Sequence, residues 1–388
     1  MRHASEVRLS HPPSIAPEEV TSVADRVATE VVAAHAADVD ARGRFPAEAV
    51  AALGASGLLG VVSAASVGGS GQSLRAAVTV VSRVARECGS TGMVTCMHYA
   101  GTAVIEALGA EAVRTEIAAG RHLTTLAFSE AGSRSHFWAP LSTATADGDS
   151  IVLDARKSWV TSARQANSIV WSSKPVAGDK PSTLWHVPNP TAGLTVPAAF
   201  DGMGLRGNDS TPMNADGVRV PASARLGEDG GGFDLMMGTV LPWFACMSAG
   251  VSVGLMEAAT ARAAAHCAGT GFAHLGANLA DLPTIRAYLA RMRIRTDQAK
   301  CLLDDAVAAI EAGRPDTMLR VLEVRASAAE NALEVTELAM RVCGGAAFRK
   351  EVGVDRAFRD ARAAGVMAPT TDVLYDFIGK ALVGLPLF

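Results

Sequence analysis

The chain is poor in charge and in aromatic side chains, with 19% charged and 5% aromatic residues among its 388. Its net charge of −4 gives no basic excess of the kind that attracts nucleic acid or an anionic membrane. The N-terminal stretch lacks the apolar core of a signal peptide, and no uninterrupted apolar run approaches the length that spans a bilayer. We therefore expect neither nucleic acid nor a membrane as a partner.

No two of the six cysteines form a CxxC pair, and their spacing matches no metal site. Scattered cysteines of this kind predict reduced, buried thiols in a cytoplasmic protein, and they give no reason to expect a metal ion. The six are Cys88, Cys96, Cys246, Cys267, Cys301 and Cys343.

About half of the residues are apolar, and their spacing divides the chain into three sections. Residues 17–122 and 231–388 carry apolar residues at intervals of three to four, which predicts helices, and the second set has lengths typical of a four-helix bundle. Residues 123–230 form short runs rich in Thr, Val, Ile and Trp between turns, which predicts strands. The predicted fold class is α+β, with an N-terminal helical domain, a central β domain and a C-terminal four-helix bundle.

A break interrupts the last helical section at residues 366–369, which read Val-Met-Ala-Pro. Pro369 removes a backbone donor, so the preceding helix should end before it. The Thr-Thr-Asp run at 370–372 can cap a new helix from Val373 onward. Helix breaks commonly carry catalytic groups, yet this one holds no acid or base.

Four stretches share the order and spacing of a known pattern. They are LAFSEAGSRS at 126–135, DGDSIVLDARKSWVTSA at 147–163, residues 200–233 from FDGMG to GGF, and CGGAAFRKEVGVDRAFRDAR at 343–362. Together they resemble the acyl-CoA dehydrogenase superfamily of flavoproteins over most of residues 20–366. The resemblance implies an acyl-CoA dehydrogenase-like fold, a flavin between the β domain and the C-terminal bundle, and a homo-oligomer, either a tetramer or a dimer.

The resemblance also implies which side chains meet the flavin ring. Backbone N–H groups at Phe128 and Ser129, with the Ser129 hydroxyl, would serve one edge of the ring. Trp159 would cover the ring, Thr161 would bond toward N5, and Ser135 would lie on the phosphate side. Without the resemblance, Trp159 is a buried strand aromatic whose indole N–H is satisfied.

The residues that would bind the rest of the cofactor depart from the family pattern. The family's Arg-x-x-Phe-Gly run is missing, and Phe272 stands roughly where its arginine would be. Arg341 replaces the glutamine before Gly344 and Gly345, where a guanidinium suits the pyrophosphate of a neighbour's FAD; alternatively it is a solvated helix residue. Thr370 completes the cofactor set. The implied cofactor is FAD. FMN is the alternative, because the motifs that would bind the adenosine part of FAD are altered.

Family dehydrogenases need one carboxylate, which removes a proton from the carbon α to a thioester while hydride goes to the flavin. Its usual place, counted from the Arg-Asp-Ala run at 359–361, falls at Ala368. The alternative place, on the first long C-terminal helix, falls at about Phe244. Neither position holds a base.

Oxygenase relatives work without that carboxylate, because a reduced flavin and O2 transfer oxygen to a small organic or CoA-ester substrate in a dry pocket. A separate flavin reductase is one source of electrons. The resemblance makes His98 the catalytic candidate, since oxygenase relatives carry a histidine on this helix; the alternative is a satisfied core histidine. Asp372 has two interpretations. It is a relocated base if the protein is an acyl-CoA dehydrogenase or oxidase, and otherwise it is a helix cap. A flavin-binding subunit without turnover is the remaining alternative.

Overall fold

The structure is a computed structural model that describes residues 12–133, 136–272, 274 and 276–387. Its helices are α1 (Val20–Val27), α2 (Ala33–Arg42), α3 (Ala47–Ala55), α4 (Leu74–Glu87), α5 (Gly89–Leu108), α6 (Glu111–Ala118), α7 (Gly232–Leu235), α8 (Leu241–Gly269), α9 (Pro283–Ala312), α10 (Thr317–Cys343), α11 (Val354–Val366) and α12 (Thr371–Leu382). Its strands are β1 (Thr124–Ala127), β2 (Thr143–Asp147), β3 (Ser150–Val160), β4 (Ser168–Ser173), β5 (Thr183–Pro188), β6 (Leu194–Thr195), β7 (Thr211–Pro221), β8 (Arg225–Leu226), β9 (Gly271–Phe272) and β10 (Ala277–Asn278). Helices, then strands, then helices confirm the α+β class predicted from the sequence.

The apolar helix α5 lies at the centre of the molecule. It buries residues along nearly its whole length, and it carries no charged residue before Glu106. It packs against α4 and α8 on the helical side and against β1 on the other side. The helix therefore connects the β section to the C-terminal helices.

The β section consists of two four-stranded sheets, ordered β1-β4-β5-β8 and β2-β3-β7-β6. Strands β1 and β4 run parallel, and the other pairs are antiparallel. Trp171 and Trp185 fill the space between strands and are fully buried. At the tip of the β2–β3 hairpin Gly148 adopts a left-handed φ of 60°, which glycine permits without strain. Strand β3 is long and bends where its register with β7 shifts.

The C-terminal helices α8 to α11 pack on one another, and α12 packs on α10. In the described part of the chain, the continuous helix Gly232–Gly269 is long and apolar enough to cross a membrane, which the sequence analysis did not anticipate. However, 83% of its most apolar window is buried inside the protein. Burial of this kind is typical of the core helix of a bundle.

Three sequence predictions need correction at the level of single residues. The new helix after Pro369 begins at Thr371 rather than Val373, and Thr370 is its N-cap without a side-chain capping bond. Asp372 lies in the first turn, where a carboxylate favours the helix dipole, so it is not the capping residue. Cys301 is exposed, whereas the other five cysteines are buried as predicted.

Candidate functional site

Trp159 projects from the sheet into solvent. Its exposure is 69%, so the interpretation as a buried strand aromatic is wrong. Its φ of 58° is left-handed, an outlier for a bulky side chain. The register of β3 shifts between Lys157 and Val160, so an extra residue at this point turns the indole outward. Backbone strain at an exposed large aromatic residue makes this surface a candidate ligand site.

Ser129 lies beside Trp159 because the ends of two strands meet there. The N–H of Ser158 donates to the Ser129 carbonyl at 2.9 Å, and the backbones of Glu130 and Lys157 form an isolated antiparallel β-bridge. Ser129 is half-buried, and its hydroxyl has no hydrogen-bond partner among the described residues. It is therefore available to a ligand that rests on the indole.

Thr161 and Phe128 flank this pair from the interior. The Thr161 hydroxyl is buried and shares a hydrogen bond of 2.8 Å with Ser210. A hydroxyl can donate once and accept twice, so this bond leaves capacity for a second partner. Phe128 is buried in the core, so only its backbone can serve a ligand.

A buried ion pair holds the two strand ends together, and sequence reasoning missed it. Lys157 Nζ lies 2.6 Å from Glu130 Oε1 and also donates to the carbonyl and hydroxyl of Ser172, at 2.7 and 2.9 Å. Glu130 Oε2 accepts the N–H groups of Leu141 at 2.6 Å and Ser142 at 3.1 Å. The signal available in the sequence was one charged residue next to Ser129 and a second charged residue that lies two positions before Trp159.

Burial lowers the pKa of Lys157 to about 8, although Glu130 acts in the opposite direction. Burial by itself raises the pKa of Glu130, but Lys157 and the N–H donors outweigh it and leave that pKa lowered. The pair is therefore charged at neutral pH. It closes the loop between β1 and β2 at its base.

That loop contacts α12 through Trp138, whose ring centroid lies 5.9 Å from that of Phe377. A cavity of about 420 Å³ opens between them. Its lining consists of His136, Trp138, Asp372, Val373, Asp376, Phe377, Lys380 and Leu387. Asp372 is exposed on this cavity, and Thr370 immediately precedes α12. Ser135, the predicted phosphate-side residue, lies outside the described residues.

Arg341 and Gly344 line a different cavity, of about 670 Å³. Its lining consists of Glu337, Met340, Arg341, Gly344, Phe348, Lys350, Asp355, Phe358 and Arg359. Arg341 is exposed, and its guanidinium carbon lies 5.0 Å from the ring centroid of Tyr288. Gly344 has a φ of 56° with a ψ of −141°, and Gly345 next to it is exposed. None of the residues that line this cavity lines the first one.

His98 is fully buried and both of its ring nitrogens are engaged. Nδ1 accepts the N–H of Thr124 at 3.2 Å, so Nε2 carries the proton and donates to the Leu59 carbonyl at 3.0 Å. Burial lowers its pKa to about 4, which keeps the imidazole neutral. This geometry favours the satisfied core histidine over the catalytic one, and no nitrogen is free to reach a ligand.

The two residues that the sequence analysis assigned to the places of the family's base are apolar. Phe244 on α8 and Ala368 after α11 are both half-buried. The guanidinium carbon of Arg325, from α10, lies 5.5 Å from the Phe244 ring centroid. One of its nitrogens lies 3.4 Å from the carbonyl oxygen of Met367, the residue before Ala368. Sequence reasoning did not single out Arg325, because an arginine in a long helix gives no signal of burial.

Comparisons with known proteins cover almost the whole chain. The family models for the N-terminal, middle and C-terminal domains of acyl-CoA dehydrogenase match residues 17–120, 125–218 and 230–383. The bovine short-chain specific acyl-CoA dehydrogenase, mitochondrial, is 30% identical over 350 residues, which are 87% of this chain and 83% of that protein. The probable acyl-CoA dehydrogenase fadE25 of Mycobacterium leprae is 27% identical over 94% of this chain and 95% of its own. Butyryl-CoA dehydrogenase from Megasphaera elsdenii shares the fold, with a TM-score of 0.88, 22% identity, and coverage of 94% of this chain and 97% of that one.

Proposed function

Because the chain belongs to the acyl-CoA dehydrogenase family of flavoprotein oxidoreductases, we propose that it catalyses oxygen insertion rather than α,β-dehydrogenation. The observation that carries this proposal is the pair of apolar residues, Phe244 and Ala368, at the two places for the dehydrogenase base. Dehydrogenation needs a positioned carboxylate, whereas flavin-dependent oxygen transfer needs a dry pocket. The substrate is a small organic molecule or a CoA ester.

The residues around Trp159 fit a flavin. A flat heterocycle with hydrogen-bonding edges matches an exposed indole next to an unpartnered hydroxyl at Ser129 and a second hydroxyl at Thr161. We assign Trp159 to the ring face and Ser129 with Thr161 to its edges. Family members are FAD-dependent, so FAD is the proposed cofactor, with FMN as the alternative. When bound and reduced, the flavin supplies the activation of O2.

The rest of the chain positions this flavin cradle, which consists of Ser129, Trp159 and Thr161. The ion pair between Lys157 and Glu130 fixes the strand ends that present Ser129 and Trp159. His98 fastens α5 to the start of β1 and stays neutral, so we give it a positioning role instead of the catalytic role expected from the sequence. Electrons come from a separate reductase or from the substrate.

The second candidate function is an acyl-CoA dehydrogenase or oxidase with a relocated base. Asp372 favours it, because its exposed carboxylate lines the cavity beside α12, four residues after the vacant position at Ala368. The curated relatives carry the dehydrogenase name. A flavin-binding subunit without turnover is the third candidate, and flavin reduction by any substrate would exclude it.

The test mixes the oxidised holoprotein with butyryl-CoA under anaerobic conditions and follows the flavin absorbance. We expect no bleaching on a catalytic timescale, because a positioned base contributes about 10²- to 10⁴-fold to proton abstraction. The chemically reduced protein should instead consume O2. Rapid bleaching would refute oxygen insertion, and its loss in Asp372→Asn would identify Asp372 as the base.

A further inference from the structure

Arg325 is a buried cation without an anionic partner. It lies in the middle of α10 with an exposure of 1%. Its one hydrogen bond in the described part of the chain is the 3.4 Å contact with the Met367 carbonyl, and its Nε has no partner. None of its nitrogens forms an ion pair with a described carboxylate. A guanidinium carries five N–H donors, so most of its capacity is unused.

Helix capping accounts for only part of this arrangement. Met367 is the C-cap of α11, where a cation interacts favourably with the helix dipole. However, removing a guanidinium from water is costly unless its donors are satisfied, and one long bond to a carbonyl satisfies little. By contrast, Arg359 on α11 pairs with Asp40 at 2.5 Å and Asp355 at 3.2 Å. The charge of Arg325 is therefore left for a group that the chain does not supply.

The place of Arg325 indicates what that group is attached to. Its guanidinium lies near both the Phe244 ring and the Met367 carbonyl. Phe244, Met367 and Ala368 are each half-buried, so part of each side chain remains exposed near the guanidinium. A positive charge therefore lies beside Phe244 and Ala368, the two positions at which the family pattern is expected to hold a carboxylate of the protein.

We propose that Arg325 binds a carboxylate of the substrate at the surface formed by Phe244, Met367 and Ala368. The proposal deepens the proposed function and rests on its placement of the substrate. The planar guanidinium matches a carboxylate in a two-bond arrangement. The ligand class is a small organic acid or a thioester that carries a terminal carboxylate. Burial lowers the pKa of Arg325 to about 10, so the side chain remains a cation at neutral pH.

Titration calorimetry on the oxidised holoprotein compares two matched probe pairs. The first is succinyl-CoA against butyryl-CoA, and the second is propionate against propionamide, so the test also covers a substrate without CoA. In at least one pair we expect the carboxylate to bind about ten- to a hundred-fold more tightly, as charge-assisted bonds of this kind imply. Arg325→Met should abolish that preference, and Arg325→Lys should restore part of it.

Arg262→Met is the matched control, because Arg262 is a half-buried arginine of α8 that also donates to a carbonyl, that of Gly353, at 3.3 Å. It should keep the preference. Urea unfolding gives the second readout. If Arg325 only caps α11, Arg325→Met should lower the unfolding midpoint and leave the preference for the carboxylate probe unchanged. No preference in either pair, or a preference that survives Arg325→Met, overturns the proposal. Flavin bleaching is measured separately, so failure of the oxygenase assignment is distinguishable from failure at Arg325.

Discussion

Lys157 donates to Glu130 across 2.6 Å in the interior of the β domain, and the two side chains are 0% and 4% exposed. Glu130 follows Ser129 directly in the segment after β1, and Lys157 lies two positions before Trp159 in β3. We therefore expect the geometry of the cradle to depend on this buried pair of charges. Its geometry should fail when either charge is removed alone.

Lys157→Met should destabilise the protein by about 3–5 kcal/mol, because it leaves the Glu130 carboxylate buried without its cation. Urea unfolding measures the loss. The control is Arg156→Met, one residue away, whose pair with Asp216 is 62% and 55% exposed and should contribute about 0–1 kcal/mol. Similar losses in the two variants would contradict the buried-pair interpretation, and Lys157→Met combined with Glu130→Gln should recover part of the stability.

Trp159→Ala should weaken flavin binding by about 1–3 kcal/mol, the range for stacking a flat heterocycle on an aromatic side chain. Stability should change little, since the indole is 69% exposed. Fluorescence titration with FAD and with FMN measures affinity, and thermal unfolding of the apoprotein measures stability. Unchanged affinity for both flavins would remove Trp159 from the cradle.

Arg341→Ala should weaken FAD binding about ten- to a hundred-fold and leave FMN binding almost unchanged, because only FAD has a pyrophosphate for the guanidinium to bind. The same titrations provide the measurement. Arg349→Ala serves as the control, since Arg349 is exposed but does not line the cavity with Arg341. Equal effects of Arg341→Ala on both flavins would place this side chain away from the cofactor.

His98 should make folding stability depend on pH. Its folded pKa is about 4 against 6.5 for the ordinary side chain, so between these values the unfolded chain binds more protons. The contribution of His98 to the free energy of unfolding is therefore complete above pH 6.5 and is lost as the pH falls toward 4. It amounts to roughly 3 kcal/mol at most.

The measurement is urea unfolding of the wild type and His98→Asn between pH 4 and 7.5. The difference between the two free energies of unfolding should shrink as the pH falls, while the nearby His122 contributes equally to both proteins. A constant difference would contradict the buried neutral state. Loss of product formation with unchanged stability would instead support the catalytic role expected from the sequence.

The sequence sufficed for the features that depend on local pattern. Periodicity separates the helical sections from the β section, and Pro369 ends α11 as expected. The contacts of Arg325 and His98 could not be predicted, because each depends on segments that are distant in the chain. His98 meets Leu59 and Thr124, and Arg325 meets Phe244 and Met367. Helical spacing shows that a side chain faces inward, but not which group it meets there.

The outward turn of Trp159 was also beyond the sequence, because it depends on one extra residue in β3. Between Lys157 and Val160 this strand advances three residues while β7 advances two, from Met213 to Thr211. Side chains of a regular strand alternate between the two faces of the sheet. The extra residue shifts this alternation by one, so Val160 faces the interior like Lys157, although it lies three positions later. Removing one residue here would let β3 and β7 advance in step, and it would leave one outward-facing position between Lys157 and Val160 instead of the two that Ser158 and Trp159 occupy. The length of β3 is thus as much a determinant of the site as any side chain, and this stretch should tolerate substitutions far better than deletions.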